Sequence, residues 1–320
     1  MTVSVEATVN IFLYILMNNI APVFILIFLG FILGKKFKLD IYSFSKIIFF
    51  IYVPALAFVK LYETKIEAEH LKALLYAVIY LAVLVTFSTL FSRLRKHSTA
   101  LGGAFQNSIL LYNSANFGLP LITLVFKDSP YAAFAVSLQI MVLLVQNIST
   151  NTIGLFNAGR SRLNIGESLK TILKMPAIYT IAAALLLKCV PLDLTKTFVW
   201  PAIVYLKDGM VSMALVTLGI QLSKTKFEFK HVEVYLATFA RLLIGPALAF
   251  VTIYLMNIHG IMAQVLLISS SVPTAVNAAL IAVELDNEKD FSSQVVMTTT
   301  LLSAVTLTLV IYLSTILFKV

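Results

Sequence analysis

The chain has 320 residues, 60% of them apolar and 12% charged, with a mean hydropathy of +0.95. Soluble domains use about 45–50% apolar and ~25% charged residues, so this composition excludes a soluble globular protein and marks an integral membrane protein in a lipid bilayer. Twenty-four Lys and Arg against fifteen Asp and Glu give a net charge of +9, but the basic residues stand in short clusters between apolar runs, a topology signal that argues against a nucleic-acid partner.

Met1 to Asn10 contain Glu6 and neither Lys nor Arg, so the positive start of a cleavable signal is missing and the first apolar run is expected to be retained. Runs of the roughly 20 residues that a helix needs to cross a bilayer fall near 15–33, 41–61, 71–91, 101–126, 131–155, 171–190, 198–222, 232–256, 261–284 and 292–318. Polar punctuation separates them, as in Gly34-Lys35-Lys36, Arg93-Leu94-Arg95-Lys96-His97 and Asp286-Asn287-Glu288-Lys289-Asp290. The expected fold is all-α, with ten transmembrane helices. Lys46, near the start of span two, is read as snorkelling to the headgroups.

Span four carries the most informative stretch, Tyr112-Asn113-Ser114-Ala115-Asn116-Phe117-Gly118-Leu119-Pro120. Two amides, a glycine and a proline are costly in hydrocarbon, because Pro120 removes a helix hydrogen bond and frees a carbonyl. Such backbone is tolerated where it lines a cavity. Span nine has a counterpart in Ser269-Ser270-Ser271-Val272-Pro273-Thr274-Ala275-Val276-Asn277. Matching interruptions in two halves point to a midplane binding site, the competing reading being a packed proline kink with Asn as interhelical glue. A helix broken in mid-membrane offers N–H groups and a positive dipole end to a carboxylate or other anion; the freed carbonyls at the opposite end suit a cation.

Span five presents Gln139, Gln146, Asn147, Thr150 and Asn151, and span ten Thr298, Thr299, Thr300, Ser303 and Thr306, each set open to pathway lining or to hydrogen bonding within the bundle. Cys189, the single cysteine, excludes an internal disulfide or a cysteine metal cluster and reads as a small buried hydrophobe. Ionisable residues inside spans are functional candidates by default. Asp208 and Lys207 lie in span seven and Arg241 in span eight. The expectation is that Asp208 and Arg241 approach each other as a structural or coupling pair, with Arg241 alternatively contacting an anionic substrate.

Loops one, three, five, seven and nine hold fourteen Lys and Arg and the opposite side seven, which places both termini on the non-cytoplasmic side of the cytoplasmic (plasma) membrane. An odd-numbered repeat inserts upside down the second time, giving a first five-helix repeat over 1–155, a short cytoplasmic linker over 156–170 and an inverted repeat over 171–320. Pro22 and Pro120 are 98 residues apart and Pro176 and Pro273 97, linking the first and fourth spans of each half.

Enzymatic chemistry finds no support. The four histidines, His70, His97, His231 and His259, lie at span ends without metal-ligand spacing, and neither a nucleophile elbow nor a phosphate-binding loop occurs.

The runs Pro22-Val-Phe-Ile-Leu-Ile-Phe-Leu-Gly30-Phe-Ile-Leu-Gly34-Lys35, Tyr52-Val53-Pro54-Ala55-Leu56, Asn113-x-Ala-Asn-Phe-Gly118-Leu-Pro120, Leu215-Val-Thr-Leu-Gly219-Ile-Gln-Leu222, Pro273-Thr-Ala-Val-Asn277 and Thr299-Thr300-Leu-Leu-Ser303 resemble, in order, the auxin efflux carrier family. The resemblance implies two inverted five-helix repeats with an architecture like that of bile acid/sodium symporters, in which broken helices four and nine cross at their prolines. It implies a scaffold including spans one, two, six and seven, a moving transport part, and carriage of organic anions, malate- or malonate-like in short prokaryotic-type members and auxin in plant ones. The short fifth loop favours the former. Lys174-Met175-Pro176 and Ala115 depart from the family's usual Asn before Pro and Gly.

The resulting expectation is a secondary active transporter of a small organic anion, of alternating-access, elevator type, without a cofactor, driven by a proton or sodium gradient, and a homodimer by resemblance. Asn113, Asn116, Gly118, Pro120, Pro273, Thr274 and Asn277 are the expected substrate-site residues, and Asp208 with Arg241 the expected coupling or ion-pair residues. An anion channel and a membrane sensor module are the alternatives.

Overall fold

A computed structural model describes residues 5–64, 68–159, 176–188, 190, 193–225 and 231–319. Cys189, Lys174, Met175 and most of the expected linker lie outside the described residues. Among those described the chain is helical, with one isolated antiparallel bridge and no β-sheet. The helices are α1 Val5–Ile15, α2 Ala21–Lys36, α3 Ile41–Ile47, α4 Val53–Glu63, α5 Ala68–Leu94, α6 Thr99–Leu110, α7 Leu119–Val125, α8 Ala132–Ser149 and a single turn, α9, Leu155–Asn157. The second half supplies α10 Pro176–Lys188, α11 Trp200–Leu222, α12 Val232–Phe239, α13 Gly245–Leu255, α14 Gly260–Ser270, α15 Val276–Glu284 and α16 Lys289–Leu317.

Among the described residues, seven helical stretches are long and apolar enough to cross a bilayer unaided: Asn10–Lys36, Ile41–Glu63, Ala68–Leu94, Ala132–Asn157, Trp200–Leu222, Val232–Leu255 and Lys289–Leu317. The runs expected at 101–126 and 261–284 hold shorter helices separated by breaks, and the described part of the run expected at 171–190 is the helix Pro176–Lys188. The protein is thus an integral, multi-pass membrane protein.

Three of the long runs, and the shorter helix after the break in the fourth run, contain π turns that directly precede an X-Pro step. Leu16–Ile20 leads into Ala21-Pro22, Ile48–Tyr52 into Val53-Pro54, Ser114–Gly118 into Leu119-Pro120, and Ala240–Ile244 into Gly245-Pro246. A proline inside a helix lacks its N–H and pushes its ring against the carbonyl one turn back. Widening that turn relieves the clash without ending the helix.

The helices pack in two groups. In the first, α2 lies along α11, and α4 packs on α10 and α11. The close approach of α2 and α11 depends on glycine: a Cβ at Gly30 would overlap the carbonyl oxygen of Val216, and one at Gly219 would overlap that of Ile27. Lipid is as apolar as a leucine side chain, so close van der Waals contact between small residues drives such pairing in a membrane. In the second group, α5 packs on α6, α8 and α13, α14 on α8, α13 and α16, and α15 on α16. The seam between the groups runs where α11 meets α7 and its π turn and where α4 meets α8.

Polar contacts sort the connections into two ends. At one, Lys72 Nζ donates to the Asn257 carbonyl at 3.0 Å, Lys188 Nζ to that of Thr64, and Gln264 Nε2 to that of Phe318 at 2.6 Å. At the other, Arg95 and His97 meet Glu233 at 2.6 and 2.9 Å, and Lys224 Nζ donates to the Leu39 carbonyl at 2.9 Å. The second end gathers loops one, three and seven, which hold three basic residues each.

Candidate functional site

The break in the fourth run falls at Leu111–Asn113, after α6 ends at Leu110, and the break in the ninth falls at Ser271–Ala275, between α14 and α15. They meet as two short extended segments. Tyr112 pairs with Thr274 in the antiparallel bridge, the Asn113 amide donates to the Pro273 carbonyl at 2.8 Å, and the Ala275 amide to that of Leu111 at 2.7 Å. Unwound backbone in hydrocarbon needs a partner for every polar group, and here each broken helix supplies the other's.

This corrects one expectation. The helices cross at Tyr112 and Thr274, and Pro120 lies beyond the break, one π turn into the following helix. A π turn absorbs Pro120 without breaking the helix, whereas Pro273 sits within the unwound segment, so the matched proline spacing of the two halves does not mark equivalent break positions.

Around the bridge the accounting continues. Thr274 Oγ1 donates to the Ser108 carbonyl at 2.7 Å, and the Thr274 amide donates to Thr299 Oγ1 at 3.2 Å. The Tyr112 amide donates to Gln146 Oε1 at 3.3 Å, and Gln139 Nε2 donates to the Ser114 carbonyl at 2.9 Å. Gly118 makes room for this last bond, since a Cβ there would lie 2.8 Å from Gln139 Nε2. On the span-ten helix the hydroxyls of Thr298, Thr300 and Ser303 bond carbonyls of their own helix.

A cavity of about 30 Å³ lies where the second half-helices begin, lined by Tyr112, Asn113, Ser114, Ala115, Asn116, Gln146, Asn147, Thr150, Ala275, Val276 and Asn277. The three expected asparagines therefore come together on one cavity. Gly118, Pro120, Pro273 and Thr274 do not line it and shape its walls. Asn113 is 5% exposed; its Oδ1 caps the Asn116 amide at 3.2 Å, while its Nδ2 has no hydrogen-bond partner. A buried, unmet donor costs about 1–3 kcal/mol, so this cavity wants an acceptor. At ~10–15 Å³ per water the space holds about two waters. Larger cavities flank α15 on both sides, one of about 410 Å³ with Asn277 and Thr150 in its wall and one of about 360 Å³ lined in part by Val276, Gln221, Gln294 and Lys224.

The expected pairing of Asp208 with Arg241 is not found. Asp208 bonds its neighbour Lys207, with its side chain 60% exposed. Arg241 is fully buried, donating from Nη1 to the Ile109 carbonyl at 2.9 Å and from Nη2 to the Ser270 carbonyl, with its guanidinium 4.8 Å from the centre of the Tyr112 ring. Nor does Arg241 line the small cavity, since Tyr112 stands between. Helical phase explains the miss: burial in the second half of α11 begins at Met210, and Asp208 falls on the outward face just before it. Sequence reasoning passed over Tyr112 as a cavity wall and as the platform of Arg241; its place one residue before Asn113 was the available signal.

Two helices broken at one level, joined through their unwound backbones beside a polar cavity, define a transporter-type membrane protein. The sequence profile of the family described as membrane transport protein matches residues 15–168 and 160–311, and the chain belongs to this family of the auxin efflux carrier type. It is 25% identical over 266 residues to an uncharacterized transporter of Methanocaldococcus jannaschii, covering 80% of this chain and 84% of that protein. It is also 30% identical over 105 residues to an uncharacterized transporter of Methanothermobacter thermautotrophicus, covering 33% and 35%. The protein is a membrane transporter.

Proposed function

We propose that the protein is a secondary carrier of a small organic anion, a carboxylate in the size range of malate, malonate or an auxin-like acid. The observation that carries this reading is the buried, unpartnered Nδ2 of Asn113, a residue that lines a cavity where two half-helices begin. Both half-helix starts add positive partial charge there, and amide donors bind an anion without burying a fixed positive charge. Asn113 and Asn277 contact the ligand, and Asn116 supports the site.

The small cavity is below the ~300–1,000 Å³ of ordinary ligand sites, so ligand entry requires it to widen toward its larger neighbours. Those neighbours have Lys224 and Glu284 in their walls, from the end of the bundle that the basic loops assign to the cytoplasm. This fits a carrier caught open toward the cytoplasm, with both termini on the far side of the membrane. The two packing groups support an elevator mechanism in which the group holding the crossing slides against α2, α4, α10 and α11.

The test is uptake of labelled malate into proteoliposomes, with malonate, succinate, lactate and indole-3-acetate as competitors, for wild type beside Asn113→Ala. Saturable uptake that the substitution removes is expected. Non-saturating flux would replace the carrier with a channel, and no flux of any anion through folded protein would move the substrate out of this class.

A further inference from the structure

The Arg241 guanidinium is fully buried, and among the described residues it forms no ion pair with a carboxylate. A buried charge without a counter-charge is not tolerated unless something replaces the lost water. Its two direct acceptors are the answer. Ile109 is the penultimate residue of α6 and Ser270 the last residue of α14, so both carbonyls belong to the unsatisfied C-terminal turns of the two half-helices that enter the crossing. Each such terminus carries about half a negative charge. Two of them together offset about one positive charge, the charge of one guanidinium or one alkali cation.

The rest of the pocket is built around the same charge. The Tyr112 ring supplies a cation–π face at 4.8 Å, and Tyr80 Oη, 3.2 Å from the Ser270 carbonyl and 3.1 Å from that of Gly245, closes the pocket beside it. Arg241 is delivered by the π turn Ala240–Ile244, which ends at Gly245, where a Cβ would sit 3.5 Å from the guanidinium carbon.

We propose that Arg241 is the fixed counter-cation of the crossing: a covalently held positive charge that neutralises both half-helix C-termini and occupies the carbonyl cluster that an alkali cation would otherwise fill. Arg241 is a positioning residue. It holds the first halves of the two broken helices together from the side of Tyr112 opposite the anion cavity, and the crossing therefore needs no sodium ion. Only the transport corollary, that sodium gradients do not drive uptake, rests on the carrier reading.

The test is thermal unfolding of the full-length protein in detergent, titrated with sodium chloride against choline chloride at constant ionic strength. The wild-type midpoint is expected to be the same in both salts. Arg241→Ala is expected to unfold at a lower temperature in choline and to regain part of the loss, saturably, on adding sodium or low-millimolar guanidinium, because the emptied carbonyl cluster then accepts a free cation. A saturable sodium-specific rise in the wild type would overturn the proposal, as would an Arg241→Ala midpoint that equals the wild type or ignores every cation. If Arg241→Ala yields no folded protein, Arg241→Lys and Arg241→Met decide. Recovery with lysine alone supports the fixed charge, and equal recovery with methionine overturns it. Unfolding that follows the expected pattern together with no anion uptake would refute the anion substrate class and leave Arg241's role standing.

Discussion

The backbone amide of Asn113 donates to the carbonyl of Pro273 at 2.8 Å, so a residue that lines the cavity is held in place by the other broken helix. Site geometry and the crossing are therefore one structure: whatever moves one half-helix moves both walls of the cavity.

Asn113→Ala removes the unpartnered donor, and the loss of a hydrogen bond to a charged ligand costs about 1.5–3 kcal/mol, or roughly ten- to a hundred-fold in apparent affinity. It also removes the cap on the Asn116 amide, worth about 1 kcal/mol of stability. Asn113→Asp separates the two effects, keeping the capping oxygen and replacing the donor by a negative charge. Uptake is expected to be lost in both variants, with a midpoint near wild type for the aspartate. Anion uptake at the wild-type level in Asn113→Asp would remove Asn113 from the site.

Gly219→Ala is expected to destabilise without touching the cavity, because its Cβ would overlap the Ile27 carbonyl oxygen across the α2–α11 contact. Overpacking costs about 1–3 kcal/mol, which at ~2–4 °C per kcal/mol lowers the unfolding midpoint by roughly 2–12 °C. The apparent affinity for substrate in the protein that remains folded should not change. A KM shift without a change of midpoint would place this contact in the transport cycle instead of the static frame.

Gly118→Ala and Gln139→Ala should be strongly non-additive. The added methyl displaces Gln139 Nε2 from the Ser114 carbonyl, and truncating Gln139 removes the same bond. Once Gln139 is gone the methyl meets no obstacle from it, so the double variant should be no less stable than Gln139→Ala alone, a coupling of roughly 0.5–3 kcal/mol. Additive losses of midpoint in the four-protein cycle would mean that Gly118 matters for another reason.

Asp208→Asn is expected to transport like wild type across the pH range, since the carboxylate is 60% exposed and bonded to its own neighbour Lys207. Uptake measured from pH 5 to 8 checks this. A flattened pH profile in the variant would restore Asp208 as a proton-coupling group.

Some of this was legible in the residues. The apolar runs gave the membrane class, and Asn113 and Asn277 with their neighbouring prolines located the crossing to within a few residues, because polar backbone-breaking residues inside hydrocarbon have few reasons to exist. Gly30 and Gly219, recognisable in the sequence by their place in the family pattern, proved to be helix contacts. The error over Asp208 has the opposite origin. A charge inside an apolar run is visible in sequence, but which way it faces depends on the rotation of α11 against α2 and α4, which the nearly uniform hydrophobicity around that helix does not encode.

By itself the sequence determined that the chain enters the bilayer many times, where two of the apolar stretches break, and which loops are basic, since these follow from the local cost of placing polar groups in hydrocarbon. The tertiary structure decided that the breaks satisfy each other's backbone, that Arg241 answers to two helix ends instead of to Asp208, and that a residue with an unmet amide lines the cavity. Two of those pairings join residues over a hundred positions apart, Ile109 with Arg241 and Tyr112 with Thr274. Each partner's requirement is written locally, but the group that meets it is chosen only when the helices pack.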